Sequence, residues 1–173
     1  DKEYDDLYNE LEQLEKESGI ILNNSPTQNI GGEILSQLKK VKHTKPMLSA
    51  NKTKSISEIK KFVSKQPCVM SWKEDGLTIV LRYKNGIFVQ AITRGQKGLI
   101  GEDVTHTIRM CSDVPAKLPY NVDIQIRGEC LISYDEFNRI NGFLSEPYRN
   151  PRNLASGTVR QLDSKIAKER NLT

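Results

Sequence analysis

The first residues of this chain repeat apolar positions at helical spacing. Tyr4, Leu7, Tyr8, Leu11 and Leu14 recur every three or four residues with Glu and Lys between them, and Ser18-Gly19 follows. That spacing predicts an amphipathic helix over residues 2–18. A polar stretch over residues 23–29 closes at Gly31-Gly32 and reads as a loop, and a short helix is expected over 33–39. Lys45-Pro46-Met47-Leu48-Ser49 reads as extended, because proline disfavours helix in the residue before it. Ser55-Ile56-Ser57-Glu58 is a capping box, so a helix should start at Ser55 and run to about Lys65.

From Pro67 the period becomes that of strands. Strands are expected near 68–72, 77–83, 87–93 and 122–132. Asn85-Gly86 lies between two of these runs, which is the strongest short hairpin signal. Residues 95–103 form a glycine-rich loop into a short helix; without Gly-Lys-Ser/Thr it is not a P-loop. Ser133-Tyr134-Asp135-Glu136 is a second capping box, starting a helix to about Ile140. A basic loop, Tyr148-Arg149-Asn150-Pro151-Arg152-Asn153, leads into a helix-like stretch to Leu162. The fold class is α+β: an antiparallel sheet with a small helical N-terminal piece. The division falls near 45–50, leaving a helical piece over 1–45 and an α+β body over 46–173.

Composition narrows the class. Of 173 residues, 36% are hydrophobic and 28% charged, as in a folded, soluble domain. No apolar run approaches the ~18 residues of a membrane span. The start, Asp1-Lys2-Glu3-Tyr4, carries no signal-peptide pattern. The net charge of +4, from 26 basic and 22 acidic residues, tolerates a nucleic-acid partner without arguing for one. Cys68, Cys111 and Cys130 are widely spaced, which fits a reducing compartment and no zinc site. Cys130 continues an apolar segment and reads as core. His43 and His106 are too isolated for a metal pair or a triad base.

The candidate chemistry sits in two short segments. Trp72-Lys73-Glu74-Asp75-Gly76 holds a Lys-x-Asp-Gly box just before a predicted strand. Ile126-Arg127-Gly128-Glu129 places a carboxylate at the end of an apolar run. Alone, the box is a common turn signal. At a strand end beside a hairpin, it is a rigid place to hold a nucleophile. A lysine, two separated acids and several arginines suit attack on a phosphate and capture of the nucleotide as a lysyl adduct. At a resting pKa of ~10.4, only about one lysine in 2,500 is neutral at pH 7. A nucleophilic lysine therefore needs burial or neighbouring cations to lower that pKa.

Seven segments in order resemble the NAD-dependent DNA ligases of bacteria and some viruses. They are the helix from Asp1 through Tyr4-Asp5 to Leu11, Asn24-Ser25-Pro26-Thr27-Gln28, and His43-Thr44-Lys45-Pro46-Met47-Leu48-Ser49. Then come Lys73-Glu74-Asp75-Gly76, Thr93-Arg94-Gly95 through Thr105, Arg127-Gly128-Glu129, and Asn150-Pro151-Arg152-Asn153 through Asp163. Two positions depart, Ser71 where the family usually has Glu and Ala50 where it usually has Leu; both bear on the adenine pocket.

The resemblance implies an antiparallel-sheet nucleotidyltransferase (adenylation) core. Lys73 would attack the adenylyl phosphate of NAD, release NMN and form lysyl-AMP for transfer to the 5′-phosphate of nicked DNA. Asp75 would orient the lysine or bind metal. Ser49, Gly76, Arg94 and Glu129 would hold the nucleotide, with Glu129 on a ribose hydroxyl. Arg152 and Arg160 would contact DNA or phosphate, as guanidinium forks match phosphate oxygens. Asp1, Tyr4 and Asp5, on one helical face, would hold the cationic nicotinamide mononucleotide.

The resemblance further implies Mg2+, a role in DNA repair and replication, a monomer, no membrane, and a cytoplasmic setting in a bacterium or an infected host cell. The chain reads as a fragment: the end of the NMN-binding piece plus part of the adenylation domain, expected not to seal nicks alone. An ATP-dependent ligase or capping-type nucleotidyltransferase shares the box but lacks the Asp1-Tyr4-Asp5 helix and Ser25-Pro26-Thr27-Gln28. A non-catalytic nucleotide-binding module is the remaining alternative.

Overall fold

The computed structural model describes residues 2–20, 25, 37–64 and 67–173. The opening helical repeat forms α1 (Lys2–Ser18). Gly19, at φ 66°, ends it, with its N–H bonded to the Glu15 carbonyl at 3.0 Å. Of its apolar stripe, Leu7 and Leu14 are exposed and Leu11 is half-buried. The polar loop expected over 23–29 and most of the expected helix over 33–39 lie outside the described residues, and residues 37–39 are irregular. A short strand not foreseen in the sequence follows, β1 (Lys40–Lys42). The first capping box works as expected: α2 (Ile56–Val63) starts at Ser55, whose side chain accepts from the Glu58 N–H.

Strands β2 (Leu77–Lys84) and β3 (Ile87–Thr93) match the expected hairpin. Asn85 and Gly86 both take positive φ, 49° and 75°. That is the turn geometry whose twist fits the flanking strands. A Cβ on Gly86 would lie 2.3 Å from the Tyr120 carbonyl oxygen, so only glycine fits.

The glycine-rich loop makes a 3-10 turn, then β4 (Ile100–Glu102), which pairs antiparallel with β1. The short helix α3 (Thr105–Ile108) follows. Next is β5 (Ile124–Cys130), shorter at both ends than expected. It flanks β2 on the side away from β3, so the main sheet runs β3-β2-β5, all antiparallel.

The expected strand over 68–72 does not form. Both edges of β2 are already taken, and the segment leading into β2 cannot double back onto it. Val69, Met70 and Trp72 are each more than nine-tenths exposed.

Three helices close the chain: α4 (Tyr134–Asn141) from the second capping box, α5 (Pro151–Val159) and α6 (Ser164–Glu169). The helix-like stretch ends at Val159, earlier than expected, and α6 was not foreseen. Ile79 and Tyr83 of β2, Phe88 and Ala91 of β3, Ile108 of α3, and Leu154 and Val159 of α5 form one buried cluster. Each large apolar side chain buried there contributes roughly 1.5–3 kcal/mol. Ile79 near the start of β2 and Cys130 at the end of β5 belong to this cluster, and the Lys-x-Asp-Gly box joins the sheet at that end. Among the described residues, no helix is long and apolar enough to cross a membrane.

Candidate active site

Gly76 is where the box meets the sheet. A Cβ there would lie 2.1 Å from the Cys130 carbonyl oxygen, so the chain passes β5 with no room for a side chain. Its N–H donates to Glu129 Oε1 at 3.2 Å. Thr78 faces Glu129 directly across the ladder, and its Oγ1 donates to Glu129 Oε2 at 2.9 Å. Glu129 is thus turned back from β5 onto the box. Asp75 pairs with Arg152 Nη1 at 2.8 Å. Both side chains are mostly exposed, so the pair contributes at most about 1 kcal/mol. Its effect is to set the start of α5 against the box. Lys73 is exposed and makes no hydrogen bond or ion pair among the described residues. The sequence implied a buried or cation-flanked lysine; the structure places this one in the open, with the Arg152 guanidinium two residues away on Asp75.

Arg94 extends the site along the end of β3. Its backbone N–H donates to the Thr78 carbonyl at 3.0 Å. Its Nε donates to the Met47 carbonyl at 2.7 Å and its Nη2 to Ser49 Oγ at 3.0 Å. Arg127 Nη1 donates to the Leu48 carbonyl at 3.0 Å. Two arginines, Arg94 just past β3 and Arg127 in the middle of β5, therefore hold residues 47–49 against the sheet. The buried His43 Nε2 sits 3.1 Å from the Thr93 carbonyl and 3.2 Å from the Arg94 carbonyl. Both partners are acceptors, so this nitrogen carries the proton. The ring thereby anchors the backbone that presents Arg94.

Arg160 has other partners. Its Nε donates to Glu102 Oε2 at 2.7 Å, and its Nη1 bonds the Ser156 carbonyl at 3.2 Å and the Ser156 hydroxyl. It lines a cavity of about 530 Å3 with Lys40, Lys97 and Glu102, beside the β1–β4 ribbon. The structure thus joins Gly76 to Glu129, Asp75 to Arg152 and Ser49 to Arg94, with Arg94 tied by its backbone to Thr78, and holds Arg160 on the ribbon side. Asp1 and the side chains of Tyr4 and Asp5 lie outside the described residues. Sequence reasoning missed Thr78, named Arg127 only within a motif and set His43 aside; strand register and loop contacts show what each one touches. Among the described residues, no group of three or more His, Cys, Asp or Glu side chains is placed to hold a metal.

An antiparallel sheet ending in a Lys-x-Asp-Gly box, with an arginine and a glutamate fixed beside it, defines a nucleotidyltransferase-type α+β domain. The chain belongs to the NAD-dependent DNA ligase adenylation domain family, whose pattern it matches over residues 35–173. It is 47% identical to a DNA ligase of Ruminiclostridium cellulolyticum and 46% identical to one of Lachnoclostridium phytofermentans. Each match covers 98% of this chain and 26% of the relative. A DNA ligase of Mycoplasma genitalium is 42% identical, with 99% of this chain and 27% of that protein covered. The chain spans about a quarter of the length of these relatives. Family membership favours the NAD-dependent reading over the ATP-dependent, capping-type and non-catalytic alternatives.

Proposed function

We propose that this chain is the adenylate-accepting part of an NAD-dependent DNA ligase, and that Lys73 is the acceptor. The observation that carries the reading is the Lys73-Glu74-Asp75-Gly76 box joined to the sheet by the Gly76–Glu129 hydrogen bond, in a chain of the NAD-dependent DNA ligase adenylation family. The deprotonated amine attacks the adenylyl phosphorus of NAD. A nitrogen–phosphorus bond forms as the bond to the NMN phosphate oxygen breaks, and NMN leaves with that electron pair. Such chemistry depends on positioning and on neutralising charge on the phosphate. Arg152, bonded to Asp75 of the box, and Arg94, bonded to Ser49, supply the guanidinium groups. Glu129 accepts from a ribose hydroxyl, and Ser49 and Gly76 line the nucleotide.

Mg2+ would supply further phosphate neutralisation when bound, and Asp75, mostly exposed though paired with Arg152, is the carboxylate that would hold it. Asp1, Tyr4 and Asp5 belong to a helical piece over 1–45 that selects NMN, and 46–173 to the adenylation domain. Arg160, ion-paired with Glu102, lies beside Lys40 and Lys97, a set of net positive charge suited to a DNA phosphate. The partner is nicked duplex DNA, the protein is monomeric, and the setting is cytoplasmic.

Intact-mass spectrometry of the full-length protein after incubation with NAD tests this. The wild type should gain one AMP, and Lys73→Ala should gain none. Lys73→Arg should also fail, because a guanidinium stays protonated. A full adduct on Lys73→Ala overturns the reading.

A further inference from the structure

Both oxygens of the Glu129 carboxylate are held by donors that come from one short run of chain. Gly76 N–H holds Oε1 at 3.2 Å, and Thr78 Oγ1 holds Oε2 at 2.9 Å. The Thr78 carbonyl meanwhile accepts the Arg94 N–H at 3.0 Å. Thr78 therefore joins the ends of all three strands, β3 through its backbone and β5 through both its ladder position and its hydroxyl. We propose that Thr78 is a positioning residue that fixes the Glu129 carboxylate for the nucleotide ribose.

The inference rests on the role given to Glu129 above. Threonine suits the task because a β-branched side chain is stiff at χ1, so the hydroxyl has few places to go. The terminal torsion of glutamate is broad, and without a second donor the carboxylate turns freely. An ionised carboxylate offers about four acceptor positions. Two are filled here, which leaves acceptor capacity for a ribose hydroxyl.

The test is lysyl-adenylate formation from NAD by the full-length protein. Thr78→Val keeps the shape and removes the donor. It should raise KM for NAD by about tenfold, the size of one hydrogen bond to a charged acceptor, with kcat much less affected. Thr78→Ser should restore KM to within about twofold, since it returns the hydroxyl. In a Glu129→Ala background, Thr78→Val should add nothing. Additive losses in the double variant, or a Thr78→Ser as impaired as Thr78→Val, overturn the positioning role and leave the role of Glu129 standing. A Glu129→Ala with unchanged KM and kcat overturns the role of Glu129 and this inference together.

Discussion

Gly76 shows how little space separates the box from the sheet. With a Cβ brought within 2.1 Å of the Cys130 carbonyl, Gly76→Ala must push the box or the end of β5 aside. Forced overpacking of this kind costs about 1–3 kcal/mol. The urea midpoint should fall accordingly, and NAD adenylation should fall with it, because Glu129 adjoins the displaced Cys130. An unchanged midpoint and rate would mean that the close approach relaxes at no cost.

Cys130 itself is core, as its apolar segment suggested. Its hydrogen bond to Cys111, together with burial, pushes its thiol well above the usual range, and both residues are 6% exposed. Iodoacetamide on the native protein should therefore alkylate the exposed Cys68 and spare Cys130, read by peptide mass mapping. Equal labelling of Cys68 and Cys130 would contradict this packing. At this scale the sequence exposed the residues that stand in short linear patterns: Lys73, Asp75, Gly76 and Glu129. Thr78 stayed hidden because its partner is set by register, and a shift of one residue would turn its hydroxyl to the other face.

Among the elements, the ones legible in advance are those with local signals. The two serine capping boxes started α2 and α4 where expected, and Asn85-Gly86 set the central hairpin. β1 and β4 were missed because three residues carry no readable alternation, and their pairing joins segments about sixty residues apart in sequence. The run 68–72 has strand composition but no strand neighbour among the described residues, so composition misled.

Helix α5 offers the sharpest element-level test. Asn150 caps it by accepting the Asn153 N–H at 2.8 Å, and Pro151 fills the first turn, where its missing N–H costs nothing. Arg152 follows at once, so this cap also aims the guanidinium at Asp75. Asn150→Ala should lower stability by ~1 kcal/mol in urea unfolding, whereas Asn150→Asp, an equally good cap, should sit near wild type. Equal losses in the two variants would remove capping as the explanation.

Across the whole molecule, apolar exposure is uneven. α2 leaves Ile56 and Phe62 about 70% exposed, and Val69, Met70 and Trp72 are more exposed still. Arg94 and Arg127 hold residues 47–49 to the sheet, while the buried cluster draws on β2, β3 and the C-terminal helices.

One member of the exposed set has a spectroscopic consequence. Trp72 is the sole tryptophan of the chain, it is 92% exposed, and Lys73 is its neighbour. Its indole emission should already sit at the water-exposed, long-wavelength limit in the native chain and move little in urea, although circular dichroism registers the loss of structure. A native emission far to the blue of the unfolded one would show that Trp72 is covered. Folding of this chain is then nearly silent to its own fluorophore, while any event that dries the surroundings of Lys73 becomes visible without a label.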